Sequence, residues 1–150
     1  MSVFQVLSTE DNLKEIIKSA FDTDLPIGGA WGYTQALSTH IYNSDIPYNQ
    51  LEHMFASMRA YVEMNMTREE NKRYGNINVN EASREVHTHN QNTYHKVVYQ
   101  ITAMQESTYK TFIKEYKENY GKETFDLTLH FDKRKEATLH REIIHWFKIN

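Results

Sequence analysis

Histidine is the residue type whose number and spacing in this 150-residue chain most suggest chemistry. The chain has eight histidines, and His87, His89 and His95 lie close together in the sequence. Residues two apart in a β-strand share a face, so His87 and His89 could bind one divalent ion, with His95 as a third ligand if the chain turned near 90–92. Such a site would suit zinc, nickel or copper. The interpretation that we favour is an exposed polar loop whose histidines titrate near about pH 6.5.

A second candidate set lies near the C-terminus. The residues from Phe125 to Phe131 alternate between apolar and polar types, which predicts a half-buried strand that a turn at 133–136 would lead into a final strand. In one hairpin register, His130 and Asp132 would lie beside His140 and form an acid/base or metal-binding set. A turn one residue shorter would place the two rows on opposite faces, and a solvated sheet face would have the same sequence.

A third candidate is the segment Gly28-Gly29-Ala30-Trp31-Gly32-Tyr33, which holds three of the five glycines. Clustered glycines permit positive φ and let backbone N–H groups approach a ligand, as phosphate loops do. The predicted ligand-binding residues are Gly28, Gly29, Trp31, Gly32 and Tyr33, with the two rings as a wall. No nucleotide-binding fingerprint is present. We therefore favour a tight turn whose aromatic rings fill the edge of the core.

The charge of the chain argues against nucleic-acid binding. The formal net charge is −3, from 17 basic and 20 acidic residues. The one basic cluster, Lys133-Arg134-Lys135, falls at the predicted turn, and we interpret it as solvated rather than as a phosphate site. Neither half of the chain has the concentrated basic surface that neutralises several phosphates. We expect no nucleic-acid partner.

The absence of cysteine bounds both the chemistry and the compartment. Disulfides, thiolate metal sites and thiol nucleophiles are excluded, and a reducing environment is favoured. The chain does not begin with the basic and apolar residues of a targeting signal. Its apolar runs are much shorter than a membrane-spanning helix, which needs about 20 residues. We therefore expect a soluble, cytoplasmic protein without a membrane partner.

The elements that must position these residues are those of an α+β fold. Apolar residues at helical spacing predict three helices, over 8–21, from 47 to at least 65, and over 107–120. Strands are predicted over 3–7, 36–42, 76–80, 94–104, 125–131 and 139–149. Residues 22–33 read as a turn-rich connection and 81–93 as a polar loop. The pattern predicts one domain over 1–150, with an antiparallel or mixed sheet of about five strands and three helices packed mainly on one face.

These observations leave three hypotheses for function. The leading one is a non-catalytic binding or interaction domain with a protein partner or a second copy of itself, because no catalytic set is specific and aromatic residues suit protein contacts. The alternative is a small metal-assisted hydrolase that uses the histidines, with a divalent metal such as zinc as its cofactor. The third is a small-molecule-binding domain whose pocket is lined by Trp31, Tyr33, Tyr99 and Trp146.

Overall fold

The computed structural model of the protein describes residues 4, 6–7, 13–66 and 72–149. Within these ranges the chain forms one five-stranded sheet and four α-helices. The predicted α+β class and the number of strands are therefore confirmed. The predicted number of helices is wrong, because a segment that we expected to be a strand forms the fourth helix.

The elements follow one another in the order α, β, β, α, β, β, α, α, β. The helices are α1 (Leu13–Phe21), α2 (Tyr48–Asn65), α3 (Glu106–Asn119) and α4 (Leu127–Ala137). The strands are β1 (Ile27–Gly29), β2 (Thr39–Ile41), β3 (Tyr74–His89), β4 (Asn92–Gln105) and β5 (Leu139–Ile149). The sheet order is β1-β2-β5-β4-β3, in which β2 and β5 are parallel and all other neighbours are antiparallel. The sheet is therefore mixed.

Helix α2 lies on one face of the sheet and forms the centre of the core. It begins after Pro47, whose fixed φ of −57° suits the start of a helix. Its buried apolar residues Leu51, Phe55, Ala56, Ala60 and Met64 recur at helical spacing. The strands contribute the facing apolar residues Ile41, Val97, Tyr99, Ile101, Ala103, Ile143 and Phe147. Each fully buried large side chain contributes about 1.5–3 kcal/mol to the stability of the fold.

Residues 81–93, which we predicted as a polar loop, form the far half of a long β3–β4 hairpin instead. The hairpin closes at Asn90 and Gln91, whose φ angles of 50° and 66° are those of a two-residue turn with both central residues left-handed. No side chain from Asn80 to His89 is buried. The segment lacks an apolar period because neither of its faces packs on a core, and its strand structure comes from pairing with β4.

Residues 125–131, which we predicted as a strand, lead into α4, and the turn predicted at 133–136 lies within that helix. Asp126 caps the helix, since its carboxylate accepts a hydrogen bond from the Leu129 N–H at 3.0 Å. The alternating Leu127, Leu129 and Phe131 all remain exposed. The strand pairing that would place His130 opposite His140 in one register therefore does not form.

The hairpin formed by α3 and α4 (residues 106–137) stands apart from the core. Helix α3 contributes no buried side chain and α4 contributes only His130, whereas α1 and α2 pack against the sheet. Helices α3 and α4 meet at His130, whose ring centroid lies 5.6 Å from that of Phe112 and 5.9 Å from that of Tyr116. None of the described helices is long and apolar enough to cross a membrane.

The remaining differences concern where the predicted strands and helices begin and end. The strand expected over 36–42 is limited to β2, and β1 lies within the turn-rich connection expected over 22–33. The strand expected over 3–7 and the helix start expected at 8–11 fall largely outside the described residues. The strands expected over 76–80, 94–104 and 139–149 are confirmed, as is the helix over 107–120.

Candidate functional site

Three charged side chains lie on the buried face of α2, where an amphipathic helix is ordinarily apolar. Glu52, Arg59 and Glu63 are exposed by only 0%, 3% and 2%. Charged groups are almost never fully buried unless they are paired. The sheet supplies the partners in two places. The Glu52 cluster contains Glu52, Glu81, Arg84 and His95, and the Arg59 cluster contains Tyr33, Arg59, Glu63, Arg141 and His145.

In the Glu52 cluster, a buried carboxylate binds two side chains of the β3–β4 hairpin. His95 Nδ1 lies 2.8 Å from Glu52 Oε2, and Arg84 Nη1 donates to Glu52 Oε1 at 3.0 Å. Arg84 also binds Glu81 at 2.6 Å. Its pKa is raised by its hydrogen bonds to Glu81 and by the charge of Glu52, although burial acts the other way. The cluster therefore joins α2 to both strands of the hairpin.

The partners of His95 determine which ring nitrogen carries a proton. The Glu52 carboxylate oxygen 2.8 Å from Nδ1 can only accept, so Nδ1 carries a proton directed at Glu52. Arg84 Nη1 lies 3.0 Å from the same nitrogen but is itself a donor, so it shares no hydrogen bond with the protonated Nδ1. No described residue bonds Nε2, and the His95 side chain is 18% exposed. An imidazole held at Nδ1 by a buried carboxylate, with Nε2 available, has the geometry of a general base.

The hydroxyl of Tyr99 is buried near the Glu52 cluster. It has no hydrogen-bond partner among the described residues, and the residue is 1% exposed. Burial, and then the charge of Glu52, raise the pKa of Tyr99 above its ordinary value. Leaving a buried hydroxyl unpaired costs about 1–3 kcal/mol. Tyr99 is therefore a neutral core residue that offers an unused polar atom beside the carboxylate.

In the Arg59 cluster, the Glu63 carboxylate lies between two guanidinium groups. Arg59 Nε donates to Glu63 Oε2 at 3.2 Å, and Arg141 Nη2 lies 2.9 Å from Oε1 without hydrogen-bond alignment. The Tyr33 hydroxyl donates to Oε2 and accepts from the Leu7 N–H. Burial and the bond to Glu63 raise the pKa of Tyr33 to about 12. The paired charges explain how Glu63 can be buried.

His145 completes the Arg59 cluster as a neutral ring. The Thr39 hydroxyl donates to the Ala30 carbonyl at 2.7 Å, so it accepts from His145 Nε2–H at 2.8 Å. Nδ1 then accepts from Arg59 Nη1 at 3.3 Å. Burial, and then the charge of Arg59, hold the pKa of His145 well below its ordinary value. Both ring nitrogens are used within the fold, so the role that this geometry supports is structural.

The predicted ligand-binding loop is divided between the sheet and the core. Gly28 and Gly29 belong to β1. Trp31 is buried, and its ring stacks on Phe55 with the centroids 5.4 Å apart. Tyr33 belongs to the Arg59 cluster. Both rings are thus used in internal contacts, and the binding of a ligand by this loop stays a prediction.

The six residues predicted to bind a metal are distributed over three strands and one helix. His87 and His89 lie in β3, His95 in β4, His130 and Asp132 in α4, and His140 in β5. Within the described ranges, no three histidine, cysteine, aspartate or glutamate side chains are close enough to hold a metal ion. The geometry gives no support to zinc as a cofactor, which stays a prediction.

The four aromatic rings predicted to line a small-molecule pocket do not meet in one place. Tyr99 faces α2 and is buried, whereas Trp146 lies on the opposite face of the sheet, where Lys96 Nζ lies 5.5 Å from the centre of its ring. The register pairs Trp146 with Lys96 and Tyr99 with Ile143, which places the two rings on opposite faces.

The buried charges of α2 were not identified from the sequence. The available signal was that Glu52, Arg59 and Glu63 fall on the same helical face as Phe55 and Ala56. Charged residues at core positions indicate partners elsewhere in the chain. Their identities, His95 and His145 among them, follow from strand pairing that the sequence does not reveal.

Comparison of the chain with family models, with curated proteins and with solved structures finds no match. Two features of the described structure bear on function: the accessible surface of the α3–α4 hairpin and His95 Nε2, which no described residue bonds.

Proposed function

We propose that this protein is a non-catalytic interaction domain that binds an acidic, amphipathic segment of a partner protein on helix α3. The observation that carries the proposal is that α3 contributes no buried side chain to the fold, while its apolar residues Tyr109 and Ile113 are only partly buried. Tyr120, directly after α3, is 70% exposed. Apolar residues that remain accessible on one element are typical of interaction surfaces.

A shallow depression of about 430 Å³, formed by side chains of α3 alone and called the α3 groove below, extends this surface. It is lined by Tyr109, Ile113, Lys110, Lys114, Lys117 and Glu118. Lys114 lies 3.9 Å from Glu118, while Lys110 and Lys117 have no ion-pair partner among the described residues. A partner with apolar side chains between carboxylates would complement this arrangement in both shape and charge.

The apolar residues of the groove, Tyr109 and Ile113, lie about one turn apart on α3. Tyr116, the next apolar residue at this spacing, packs on His130 of α4 instead. Helix α3 has 14 residues, which corresponds to a length of about 21 Å. That length suits a partner helix of about four turns, docked by residues at the same spacing.

The proposal is tested by selecting peptides from a random display library against the intact protein and measuring the affinity of the synthetic winners by calorimetry. We expect peptides that combine apolar residues at helical spacing with Asp or Glu. Ile113→Asp should weaken their binding by about tenfold or more, because it places a carboxylate in the groove. Lys110→Glu combined with Lys117→Glu should weaken binding most at low salt.

Lys122→Glu is the matched control, because Lys122 is an exposed lysine of the same hairpin that does not line the groove. Its affinity for the peptides should equal that of the unmodified protein. Selected peptides without acidic residues, or unchanged binding by Ile113→Asp, would contradict the proposal.

The geometry of His95 favours a second candidate function, hydrolysis with His95 as general base. Glu52 orients Nδ1, and Nε2 is unbonded among the described residues. The test is the hydrolysis of p-nitrophenyl acetate by the protein as a function of pH. His95→Asn should lower the hydrolysis rate, which His89→Asn should leave intact. Equal rates for these variants and the unmodified protein would eliminate this candidate.

A further inference from the structure

A cavity of about 300 Å³ lies where the last turn of α4 meets the sheet. The residues of its lining that matter here are Asn76, Thr102, Phe131, Arg134, Lys135 and Thr138. Thr102 lies between Ile101 and Ala103, which are buried on the α2 side, so Thr102 belongs to the opposite face of the sheet. The cavity is therefore separate from both buried charge clusters and from the α3 groove.

The lining of the cavity is positively charged. Arg134 and Lys135 are the charged residues in it, and no described residue of the lining is a carboxylate. Neither cation has an ion pair within the part of the chain that the structure describes, and the Arg134 guanidinium lies 5.9 Å from the centre of the Phe131 ring. By contrast, Arg59, Arg84 and Arg141 each lie within 3.2 Å of a carboxylate.

The end of α4 does not itself require these two cations. Basic residues in a last turn do favour a helix, because they complement its partial negative charge. However, the Thr138 hydroxyl already donates to the Arg134 carbonyl at 2.8 Å, and the Thr138 N–H donates to the Lys135 carbonyl at 3.3 Å. Two of the terminal carbonyls are thus satisfied by the chain, which leaves both cationic groups available to a ligand.

Two neutral polar groups add to the cations. The side chains of Asn76 and Thr102 have no hydrogen-bond partner among the described residues, and each can donate a hydrogen bond. Phe131, which is 49% exposed, supplies an apolar wall. Guanidinium, ammonium, amide and hydroxyl donors around one space match the acceptor oxygens of a phosphate or a carboxylate.

We infer that this cavity is a binding site for a small organic anion, with its phosphate or carboxylate oxygens on Arg134 and Lys135 and an apolar or planar body against Phe131. The cavity volume is at the lower end of the range for ligand pockets, which limits the ligand to a small molecule. The inference is independent of the function proposed for α3, since none of its residues lines the α3 groove.

The test is titration calorimetry of the intact protein at low salt with inorganic phosphate, phenyl phosphate, benzoate and citrate. We expect saturable binding of one ligand per chain, with phenyl phosphate tighter than inorganic phosphate because of the ring of Phe131. Arg134→Gln and Lys135→Gln should each weaken binding by about tenfold. If inorganic phosphate bound as tightly as phenyl phosphate, the organic part of the inference would be overturned.

Lys133→Gln is the control, because Lys133 adjoins the two cations in sequence but does not line the cavity. Its affinity should remain unchanged. If it weakened binding as much as Arg134→Gln, the attraction would be that of a diffuse basic cluster, and the site would not exist. Thr102→Val, which alters the sheet side of the cavity, should also weaken binding. Absence of any binding at low salt would overturn the inference outright.

Discussion

Gly32 and His145 approach each other so closely that a Cβ atom on Gly32 would lie 2.2 Å from Nε2 of the His145 ring. The φ of Gly32 is +88°, in the left-handed region that favours glycine. Its N–H donates to the Leu37 carbonyl at 2.7 Å, and its carbonyl accepts from the Trp146 N–H at 2.8 Å. The glycine-rich segment is therefore fixed to β5 by its backbone, with the imidazole directly against it.

Replacement of Gly32 by alanine should destabilise the protein severely. The His145 ring cannot retreat easily, because Thr39 and Arg59 hold its two nitrogens. We expect a loss of about 3 kcal/mol in the free energy of unfolding, from the clash and the strained φ together, as measured by urea denaturation. The control is Gly121→Ala, with a φ of +83° but nothing within 4 Å of the added Cβ, which should cost only about 1–2 kcal/mol. Equal losses would show that the contact with His145 is unimportant.

Neutralising Glu52 should cost far more stability than neutralising its neighbour in the same cluster. Glu52→Gln leaves Arg84 and His95 without the buried carboxylate that both contact, so we expect a loss of about 3 kcal/mol on urea denaturation. Glu81 also binds Arg84, but its side chain is 41% exposed. Glu81→Gln should therefore cost less than about 1 kcal/mol. A smaller effect for Glu52→Gln than for Glu81→Gln would refute the assignment of Glu52 as the centre of the cluster.

Stability should decrease as the pH falls below about 6.5, because of His145. Its pKa in the folded protein lies well below the ordinary value, owing to burial and then to Arg59, so the unfolded chain binds a proton that the folded protein excludes. At pH values above the pKa of His145 in the unfolded chain, this stabilisation is complete. As the pH falls below that pKa, the free energy of unfolding decreases by up to about 1.4 kcal/mol per pH unit.

Urea denaturation at several pH values between about 7.5 and 5 measures this dependence. His145→Gln, although less stable throughout, should show a shallower slope. His40 is the comparison, because burial lowers its pKa too but the residue is only half-buried. His40→Gln should retain most of the slope. A slope that His145→Gln leaves unchanged would assign the effect to other groups.

The α3–α4 hairpin should open before the rest of the fold. With one fully buried side chain in its two helices, its opening exposes little apolar surface, whereas Val97 and Phe147 are fully buried in β4 and β5. Native-state hydrogen exchange should give lower protection for the amides of α3 and α4 than for those of these strands. Equal protection throughout would mean that the hairpin is part of the cooperative core.

The sequence predicts best those elements in which the spacing of apolar residues matches the face that is buried. Helix α2 has an apolar period that matches most of the face it buries, and its position is confirmed. The period of 125–131 is misleading, because Leu127, Leu129 and Phe131 alternate without being buried, and the Asp126 cap favours a helix. The far half of β3 has no period, since both of its faces are exposed.

The candidate sites depended even more on information that is not local. His95 was identified as a candidate metal ligand, yet its partner Glu52 lies 43 residues away and is joined to it only by the packing of α2 on the sheet. Likewise, the cluster Lys133-Arg134-Lys135 was interpreted from the sequence as a solvated turn, and only the fold shows that two of its three cations line a cavity. The residue types could be read from the sequence. Which of these residues lie close together could not, because that depends on the register of β3, β4 and β5.

The position of the α3–α4 hairpin in the chain has a consequence for how this protein could change. Ala103 and Leu139 are paired neighbours in the sheet, so the chain leaves β4 and returns to β5 at nearly the same point. A tight turn there would close the two strands as an ordinary hairpin, and the body beneath would keep its core. Evolution can thus lengthen, exchange or discard the whole excursion without redesigning the scaffold. For an engineer, the same junction is a place to graft a different recognition element.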